Sequence, residues 1–504
     1  MPCKIAFIGA GSIGFTRGLL TDILSVPELQ RSEISFMDIN PHNLDMVYRL
    51  CQRDIDSNGL DIKINATTDR REALAGAKYV INCVRIGVLD AFKLDVEIPL
   101  KYGVDQCVGD TLCAGGIMYA QRDIAFLEGL CRDIREVAHP NCLLLNYSNP
   151  NAMVTWYANK YGKVNTVGLC HGVQGGHALI ARALGYDVKD IDIICAGINH
   201  MTWYVSVKHK GEELNGKLLA ALEADPEIAK TEKVRIDMMK RFGYFSTESN
   251  GHLSEYVPWY RKRPDEIRDW IDLGVWINGE TGGYLRVCTE GRNWFETDFP
   301  NWLKEPAKEY VYEKRGREHG SYIIESMETG RVYRGHFNRV NNGTIANLPD
   351  DCVVEAPGFV DTFGINMPSI GDLPLGCAAA CMSNITVQRL AVEAGAHADI
   401  QLLKQAMMMD PLTGAVCNTR EICQMVDEML IAQAEWLPQY ADEIERAKAR
   451  WAKAEAEGTL IPPIVTEGAA RLHTKTVEEM ARDKAAARKN AAEADKAKER
   501  PAAK

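Results

Sequence analysis

Short apolar runs alternate with longer amphipathic stretches in the first part of the chain. The apolar runs end at glycine or polar residues and occupy 4–8, 34–38, 79–84 and 142–146. Helical spacing marks 15–24 and 117–137, where Ile124, Leu127, Leu130 and Ile134 share one face. Strands that alternate with helices predict a parallel sheet with right-handed crossovers, and ligands then gather beyond the carboxyl ends of the strands. We therefore expect an α/β fold with a Rossmann-type parallel sheet.

A glycine-rich turn follows the first apolar run. It carries Gly9, Gly11, Ser12 and Gly14, and the second apolar run ends in Asp38. Such glycines allow a tight turn, close approach of a pyrophosphate and packing of a helix on a strand, and an acid about 20 residues further on would bind the adenosine ribose. The pattern predicts binding of NAD rather than NADP. The alternatives are a glycine-rich turn without a ligand and a helix cap at Asp38.

The periodicity changes after residue 200. Residues 201–208 alternate like a strand, and helical spacing then dominates in 226–242 and from 383 to 436. This pattern predicts a C-terminal mixed α+β domain. From residue 462 the sequence is rich in Ala, Lys, Glu and Arg without a sustained apolar stripe, which is typical of a disordered segment or a solvated helix. We expect a nucleotide-binding domain over 1–195, a substrate and metal domain over 196–460 and a tail over 461–504.

The composition favours small-molecule chemistry. The chain has 504 residues, of which 46% are hydrophobic and 25% charged, as in ordinary globular domains. No apolar run of about 18 residues is present and the N-terminus leads directly into a strand, so we expect no membrane span and no signal peptide. The 15 cysteines have no repeated spacing, which is typical of reduced thiols and predicts a cytoplasmic location. The formal charge of -11 argues against nucleic-acid binding.

Several polar residues stand where ligands of such a fold gather. Cys170 and His200 each follow a short apolar run, and a thiolate with an imidazole can capture a divalent transition metal. Asp110 lies in a glycine-rich loop, and the Asn149 amide could bond both a sugar hydroxyl and the cofactor carboxamide. The structural alternatives are a buried thiol, a hydrogen-bonded core imidazole, a helix cap and an Asn-Pro turn. Titratable and aromatic residues also crowd into 242–259, which predicts a pocket wall or lid.

Five motifs occur in order along the chain. They are Gly9-x-Gly11-Ser12, Gly109-Asp110-Thr111 followed by Gly115-Gly116, Asn146-x-x-Asn149-Pro150, Cys170-His171-Gly-Val-Gln-Gly175, and Gly197-Ile-Asn199-His200. Together they resemble glycoside hydrolase family 4, and the resemblance extends over residues 4 to 440. It implies a fold similar to lactate and malate dehydrogenases, with NAD and a divalent metal, commonly manganese, as cofactors.

The resemblance also implies an unusual route of glycoside cleavage. Family 4 does not use the common pair of carboxylates. Hydride leaves C3 of the sugar for NAD, the C2 proton is removed, the glycosidic oxygen is eliminated, water adds to the alkene and C3 is reduced again. In this scheme Cys170 and His200 hold the manganese, and Tyr256 is the base that takes the C2 proton.

The acid that protonates the departing oxygen stays open between two residues. Relatives that act on phosphorylated sugars have an aspartate directly after the metal-binding cysteine, whereas this chain has His171 there. Asp110 is the other candidate, because its loop is expected near the nicotinamide. We expect Asn149, Asp110 and His171 to bind the substrate.

The stretch around Cys170 also resembles one substrate group of the family. Cys170-His171-Gly172-Val173 is similar to the Cys-His-x-x of members that act on unphosphorylated α-glycosides, and the following Gln-Gly is closest to the α-galactosidases. Gly172 departs from their pattern, which has serine. We expect α-galactosides as substrates, with α-glucosides, α-glucuronides and α-galacturonides as alternatives, and relatives imply a homodimer or homotetramer.

Two functions of other classes share parts of this pattern. An NAD-dependent hydroxyacid or sugar dehydrogenase would have the same sheet and glycines, but it should also present a His-Asp proton relay and an arginine for a carboxylate, which are not visible at the usual places. A non-catalytic protein that binds NAD and sugar would have no use for Cys170, His200 and Tyr256. Metal-dependent turnover would exclude this second alternative.

Overall fold

The computed structural model describes residues 3–465 and 467–486, apart from the side chains of residues 293, 294 and 296. Twelve strands among these residues form one sheet in the order β3-β2-β1-β4-β5-β6-β10-β11-β7-β8-β9, and β12 pairs with β11. The strands are β1 (Lys4–Ile8), β2 (Glu33–Met37), β3 (Asn65–Thr67), β4 (Tyr79–Asn82), β5 (Leu143–Asn146), β6 (Thr166–Gly168), β7 (Ile191–Ile198), β8 (Met201–His209), β9 (Glu212–Glu213), β10 (Tyr333–Val340), β11 (Val353–Asp361) and β12 (Gly364–Asn366).

Helices connect and cover these strands. The α-helices are α1 (Ile13–Leu24), α2 (Pro41–Ser57), α3 (Arg70–Leu74), α4 (Val88–Lys101), α5 (Cys113–Val137), α6 (Asn151–Lys160), α7 (Gly172–Leu184), α8 (Asn215–Ala224), α9 (Pro226–Thr231), α10 (Lys233–Phe242), α11 (Asn250–Glu255), α12 (Ile267–Trp270), α13 (Gly283–Trp302), α14 (His319–Thr329), α15 (Leu375–His397), α16 (Ile400–Met409), α17 (Pro411–Val416), α18 (Thr419–Ala432) and α19 (Ala441–Ala456). Residues 477–486 are also helical. Single 3-10 turns occupy Pro27–Leu29, Val188–Asp190, Trp276–Asn278, Tyr312–Lys314, Ala434–Trp436 and Pro438–Tyr440.

Six strands confirm the predicted Rossmann-type sheet. β1 pairs in parallel with β2 and β4, and β5 pairs in parallel with β4 and β6. These strands are apolar and buried along most of their length because helices cover both faces of the sheet. Asn82 and Asn146 lie opposite each other at the last position of β4 and β5, and Asn82 Nδ2 donates to Asn146 Oδ1 at 2.9 Å. The carboxyl ends of the strands therefore share one edge.

Strands from the second half of the chain complete the sheet. β7 and β8 form an antiparallel pair, and β10 and β11 insert between β6 and β7 although they come later in the sequence. The predicted mixed α+β region is therefore present. The expected boundary at residue 195 lies inside β7, and strands from both predicted domains belong to one sheet. Local periodicity gives each strand but not its neighbour, since the pairing joins distant segments.

Two expected helical regions are divided by new helix starts. The helix expected over 226–242 is α9 followed by α10, and the region expected from 383 to 436 begins earlier, with α15, and continues as α16, α17 and α18. The side chains of Asp399, Asp410 and Asn418 accept hydrogen bonds from backbone N–H groups of the next helix. Each cap satisfies donors that a helix start leaves without partners, and it therefore favours a new helix there.

Residues 464–465 and 467–475 contact the body of the protein. The backbone N–H of Ala469 donates to Asp105 Oδ2 at 2.9 Å, and Ala470 exchanges two hydrogen bonds with Thr281. The expectation of a disordered or solvated tail did not include these contacts, in which polar side chains of the body bind the backbone of the segment. Residues 487–504 lie outside the described part of the chain. Among the described residues no helix combines the length and the apolar character that crossing a membrane requires.

Candidate active site

The glycine-rich turn lies between the ends of β1, β2 and β4. Gly9 has a left-handed φ of +84°, and a Cβ there would lie 3.0 Å from the backbone of Cys83. The Gly11 N–H donates to Asp38 Oδ2 at 2.8 Å, and Asp38 Oδ1 accepts from Asn40 N–H at 2.9 Å. Asn40, not Asp38, caps α2, so the alternative role of Asp38 as a cap is wrong. The carboxylate instead fixes the turn.

The remaining residues of the turn begin α1. Ser12 stands at the N-cap position, and its side chain is exposed and makes no capping hydrogen bond. A Cβ on Gly14 would meet nothing within 4 Å. The proposed packing of a third glycine against a strand is therefore not found at Gly14.

Cys170, His200 and Glu248 form a compact group of potential metal ligands. Their ligand atoms all lie within 4.8 Å of one another. His200 Nε2 is 2.7 Å from Glu248 Oε2, which lies 3.7 Å from Cys170 Sγ. Thiolate, imidazole and carboxylate are all donors that transition metals accept. The structure thus brings together the two residues expected from the sequence and adds a third.

Electrostatics link these three side chains. Burial, together with the Glu248 charge, raises the pKa of the Cys170 thiol to about 11. Burial acts to lower the pKa of His200, but the charges of Glu248 and Cys170 outweigh it and hold the pKa well above its usual range. Burial acts in the opposite sense on Glu248, yet His200 and His252 hold its pKa below its usual range. The pKa values of His200 and Glu248 are thus shifted in opposite directions by their mutual contact at 2.7 Å.

Local structure fixes Glu248 beside the thiol. Thr247 Oγ1 accepts from the Thr202 N–H at 3.0 Å, and Ser249 caps α11. Gly172 begins α7 and packs directly against the glutamate side chain. Glu248 was not anticipated as a ligand, although it stands in the crowded segment 242–259. Its place beside Cys170 and His200 depends on the folding of distant segments against each other.

His252 of α11 and Tyr256, which directly follows that helix, line the same site. The Tyr256 ring centroid lies 6.4 Å from that of His200, and the His252 centroid lies 4.4 Å from it in an edge-on arrangement. Tyr256 is 1% exposed, and burial raises its pKa while the nearby His200 charge lowers it. Ser249 Oγ bonds to His252 Nδ1 at 2.9 Å, and burial lowers the pKa of His252 to about 4. The predicted pocket wall thus carries both side chains.

Asp110 is buried and paired with an arginine that follows β4. Arg85 Nη2 lies 2.5 Å from Asp110 Oδ2, and Asn149 Nδ2 lies 3.5 Å from both carboxylate oxygens. The guanidinium lies over Phe92, Tyr119 and Tyr284 at 4.5, 5.1 and 5.4 Å. Asp110 does not cap α5, whose N-cap is Leu112, so that alternative is wrong. Arg85 was not anticipated, because no motif around it indicates a partner.

His171 points toward the start of α14. Its Nε2 lies 2.5 Å from Glu318 Oε1, and this hydrogen bond raises the pKa of His171. The His171 side chain is 48% exposed, whereas Glu318 Oε2 is buried without a protein partner among the described residues. The His171 ring also lies 6.2 Å from Phe15 of α1. His171 therefore stands between Cys170 and helix α1.

Two family models match consecutive parts of the chain. Family 4 glycosyl hydrolase matches residues 4–186, and the family 4 glycosyl hydrolase C-terminal domain matches residues 195–413. The chain belongs to glycosyl hydrolase family 4. The resemblance carried by the five sequence motifs is thereby confirmed.

Family 4 relatives resemble this chain along nearly their whole length. An α-galactosidase of Rhizobium meliloti (strain 1021) is 56% identical over 490 residues, which cover 97% of this chain and 99% of the relative. An α-galactosidase of Bacillus subtilis (strain 168) is 34% identical over 441 residues and 87% of this chain, with 99% of the relative covered. The solved structure of a Thermotoga maritima 6-phospho-β-glucosidase with manganese, NAD+ and glucose-6-phosphate has a TM-score of 0.69 and 23% identity, covering 86% of this chain and 99% of that one. This structure supports the fold alone.

Proposed function

We propose that this family 4 protein is a glycosidase that cleaves unphosphorylated α-galactosides with NAD and a divalent metal such as manganese. The observation that carries the proposal is the group formed by Cys170, His200 and Glu248 at the end of a Rossmann-type sheet. The high identity to a relative named α-galactosidase supports the sugar. Membership of family 4, which by the sequence resemblance implies NAD and a divalent metal, supports the cofactors.

The residues present fit both cofactors. Cys170, His200 and Glu248 would hold the metal through sulfur, nitrogen and oxygen. The glycine-rich turn offers the N-terminus of α1 to a pyrophosphate, with Gly9, Gly11, Ser12 and Gly14 around it, Asp38 beside it and Asn149 toward the nicotinamide. When bound, NAD takes and returns the C3 hydride while the metal polarises the sugar oxygens at C2 and C3.

Tyr256 takes the C2 proton in this proposal. Its phenol lies in the wall beside His200, so a sugar bound at the metal ligands would present C2 to it. Burial raises the pKa of Tyr256, and the positive charge of His200 opposes that effect. Proton removal next to a carbonyl needs such a positioned base. The Asp110 carboxylate would accept hydrogen bonds from the sugar hydroxyls, and the Asn149 amide would donate or accept them.

The contacts favour His171 over Asp110 as the proton donor to the departing oxygen. Asp110 is paired with Arg85, and this ion pair suits a carboxylate that accepts hydrogen bonds from substrate. His171 is partly exposed and is hydrogen-bonded to Glu318. We assign substrate binding to Asp110 and donation to His171, with Glu318 as the residue that orients the imidazole.

We also propose a cytoplasmic location and a homo-oligomeric state. All 15 cysteines are free, which agrees with a reducing compartment. Size measurement of the purified protein and fractionation of the producing cells would test these two points.

Hydrolysis of p-nitrophenyl α-galactoside in deuterated water tests the function. The reduced protein is assayed with NAD, with manganese, with both and with neither, and deuterium at C2 of the sugar is measured by mass spectrometry. We expect release of the phenol only with both cofactors, C2 labelling and no net NADH. Release without cofactors or without label would contradict the mechanism, and net NADH would support a dehydrogenase. Parallel glucosides and uronides test the choice of sugar.

A further inference from the structure

Glu255 joins the two segments that carry Tyr256 and Asp110. It is the last residue of α11, directly before Tyr256, and its side chain is fully buried. The carboxylate accepts hydrogen bonds from three consecutive backbone N–H groups: from Cys107, from Val108 at 2.6 Å and from Gly109 at 3.2 Å. Asp110 is the next residue of that loop.

The backbone of Glu255 contacts the other side of the same loop. Its carbonyl oxygen accepts from Cys113 Sγ at 3.6 Å. Gly109 has a left-handed φ of +65°, so the chain turns sharply just before Asp110. Glu255 therefore contacts the loop before and after Asp110, while its own chain continues into Tyr256.

The surroundings keep this carboxylate in place. Asp105, at the start of the loop, holds Arg261 and also accepts from the Ala469 N–H. Arg261 lowers the pKa of Glu255, but burial dominates and raises it to about 7. Removing a buried carboxylate leaves its three backbone N–H donors without an acceptor. This loss costs more free energy than breaking an ion pair on the surface.

We propose that Glu255 is a positioning residue, whose carboxylate fixes the 107–109 backbone and thereby sets Asp110 relative to Tyr256. The role in turnover rests on the proposed function. A misplacement of about 1 Å in such a site can cost about 100-fold in rate. Loss of the Glu255 hydrogen bonds would therefore lower kcat rather than weaken cofactor binding. Neither cofactor is expected to touch Glu255.

Glu255→Gln tests this proposal with little change of shape. The amide offers one acceptor oxygen where two oxygens serve three donors, and its NH2 group would face a backbone N–H. We expect hydrogen exchange of the 107–109 amides to accelerate at least about tenfold, since their acceptor is lost. With NAD and manganese, kcat on p-nitrophenyl α-galactoside should fall about 100-fold, while both cofactor dissociation constants stay within about twofold.

Glu325→Gln is the matched control. Glu325 is a buried glutamate of α14 that pairs with Arg315 at 2.5 Å and not with the 107–109 backbone. Its loss should lower the thermal midpoint and leave kcat and the 107–109 amide exchange unchanged. Unchanged exchange in Glu255→Gln, or a kcat loss no greater than in the control, would overturn the proposal. If the parent protein released no p-nitrophenol in a cofactor-dependent way, the proposed function would be contradicted instead. The hydrogen exchange of the 107–109 amides would then still test whether Glu255 fixes this backbone.

Discussion

Gly172 packs so closely against Glu248 that a Cβ at position 172 would lie 3.0 Å from the glutamate Cγ and 3.1 Å from its Cδ. The same glutamate carboxylate faces Cys170 and His200. The absence of a side chain at 172 thus leaves room for the third donor. The serine expected there from related sequences would press on the glutamate.

Gly172→Ala should therefore weaken manganese binding. The methyl group must displace Glu248 by a few tenths of an ångström, and we expect the dissociation constant to rise about threefold to tenfold, on the order of 1 kcal/mol. Electron paramagnetic resonance titration of free manganese measures it. Gly175→Ala is the control in the same helix, because a Cβ there meets nothing within 4 Å. Equal affinities in both variants would separate Gly172 from the metal site.

Tyr256→Phe should remove the base without removing the cofactors. We expect kcat to fall about 100-fold to 10,000-fold and C2 deuterium labelling to stop, because proton abstraction loses its acceptor. NAD and manganese affinities should remain unchanged. Tyr260→Phe is the control, since its hydroxyl donates to Asp237 at 2.9 Å and not to the site. A kcat loss of the same size in Tyr260→Phe, or persistent labelling in Tyr256→Phe, would move the base elsewhere.

The leaving group distinguishes the roles of His171 and Asp110. p-Nitrophenolate departs without a proton, whereas an alkoxide needs one, so loss of the acid affects alkyl galactosides most. We expect His171→Asn to lower kcat/KM on methyl α-galactoside at least about tenfold more than on p-nitrophenyl α-galactoside. Asp110→Asn should slow both substrates alike. The reverse pattern would assign the acid to Asp110.

The parallel half of the fold and much of the site follow from local sequence signals. Each apolar run ends close to a glycine or a polar residue, and the carboxyl ends of parallel strands share one edge. The sequence alone therefore places Gly9, Asp38, Asn149 and Cys170 at one edge of the sheet. The end of another apolar run indicated His200, and the family resemblance added Tyr256. These residues are close in space because each follows a strand or a short helix of the same layer.

The missing parts depend on contacts between distant segments. Three unanticipated residues contact a predicted site residue that is distant in sequence: Glu248 contacts Cys170, Arg85 contacts Asp110 and Glu318 contacts His171. The insertion of β10 and β11 between β6 and β7 has the same origin. Periodicity describes which face of an element is buried, but not which side chain meets it.

Glu355 carries the last prediction, on stability and pH. It lies in β11 opposite Asn338, and its Oε2 accepts from Asn199 Nδ2 at 3.1 Å. Burial raises its pKa from 4.5 to about 7. The folded state therefore binds the proton more tightly than the unfolded chain. The resulting stability is fully present below about pH 4.5 and is lost as the pH rises through about 7.

Glu355→Gln should remove that dependence. For a pKa that rises from 4.5 to about 7, linkage gives a loss of about 2 kcal/mol in the free energy of unfolding between about pH 5.5 and about pH 8. Urea denaturation of the metal-free parent should show this loss from Glu355, and the difference between parent and variant isolates it from other groups such as Glu255. The glutamine keeps an acceptor for Asn199, so stability of the variant near pH 8 should exceed that of the parent. Parallel pH profiles would mean that Glu355 does not titrate in this range.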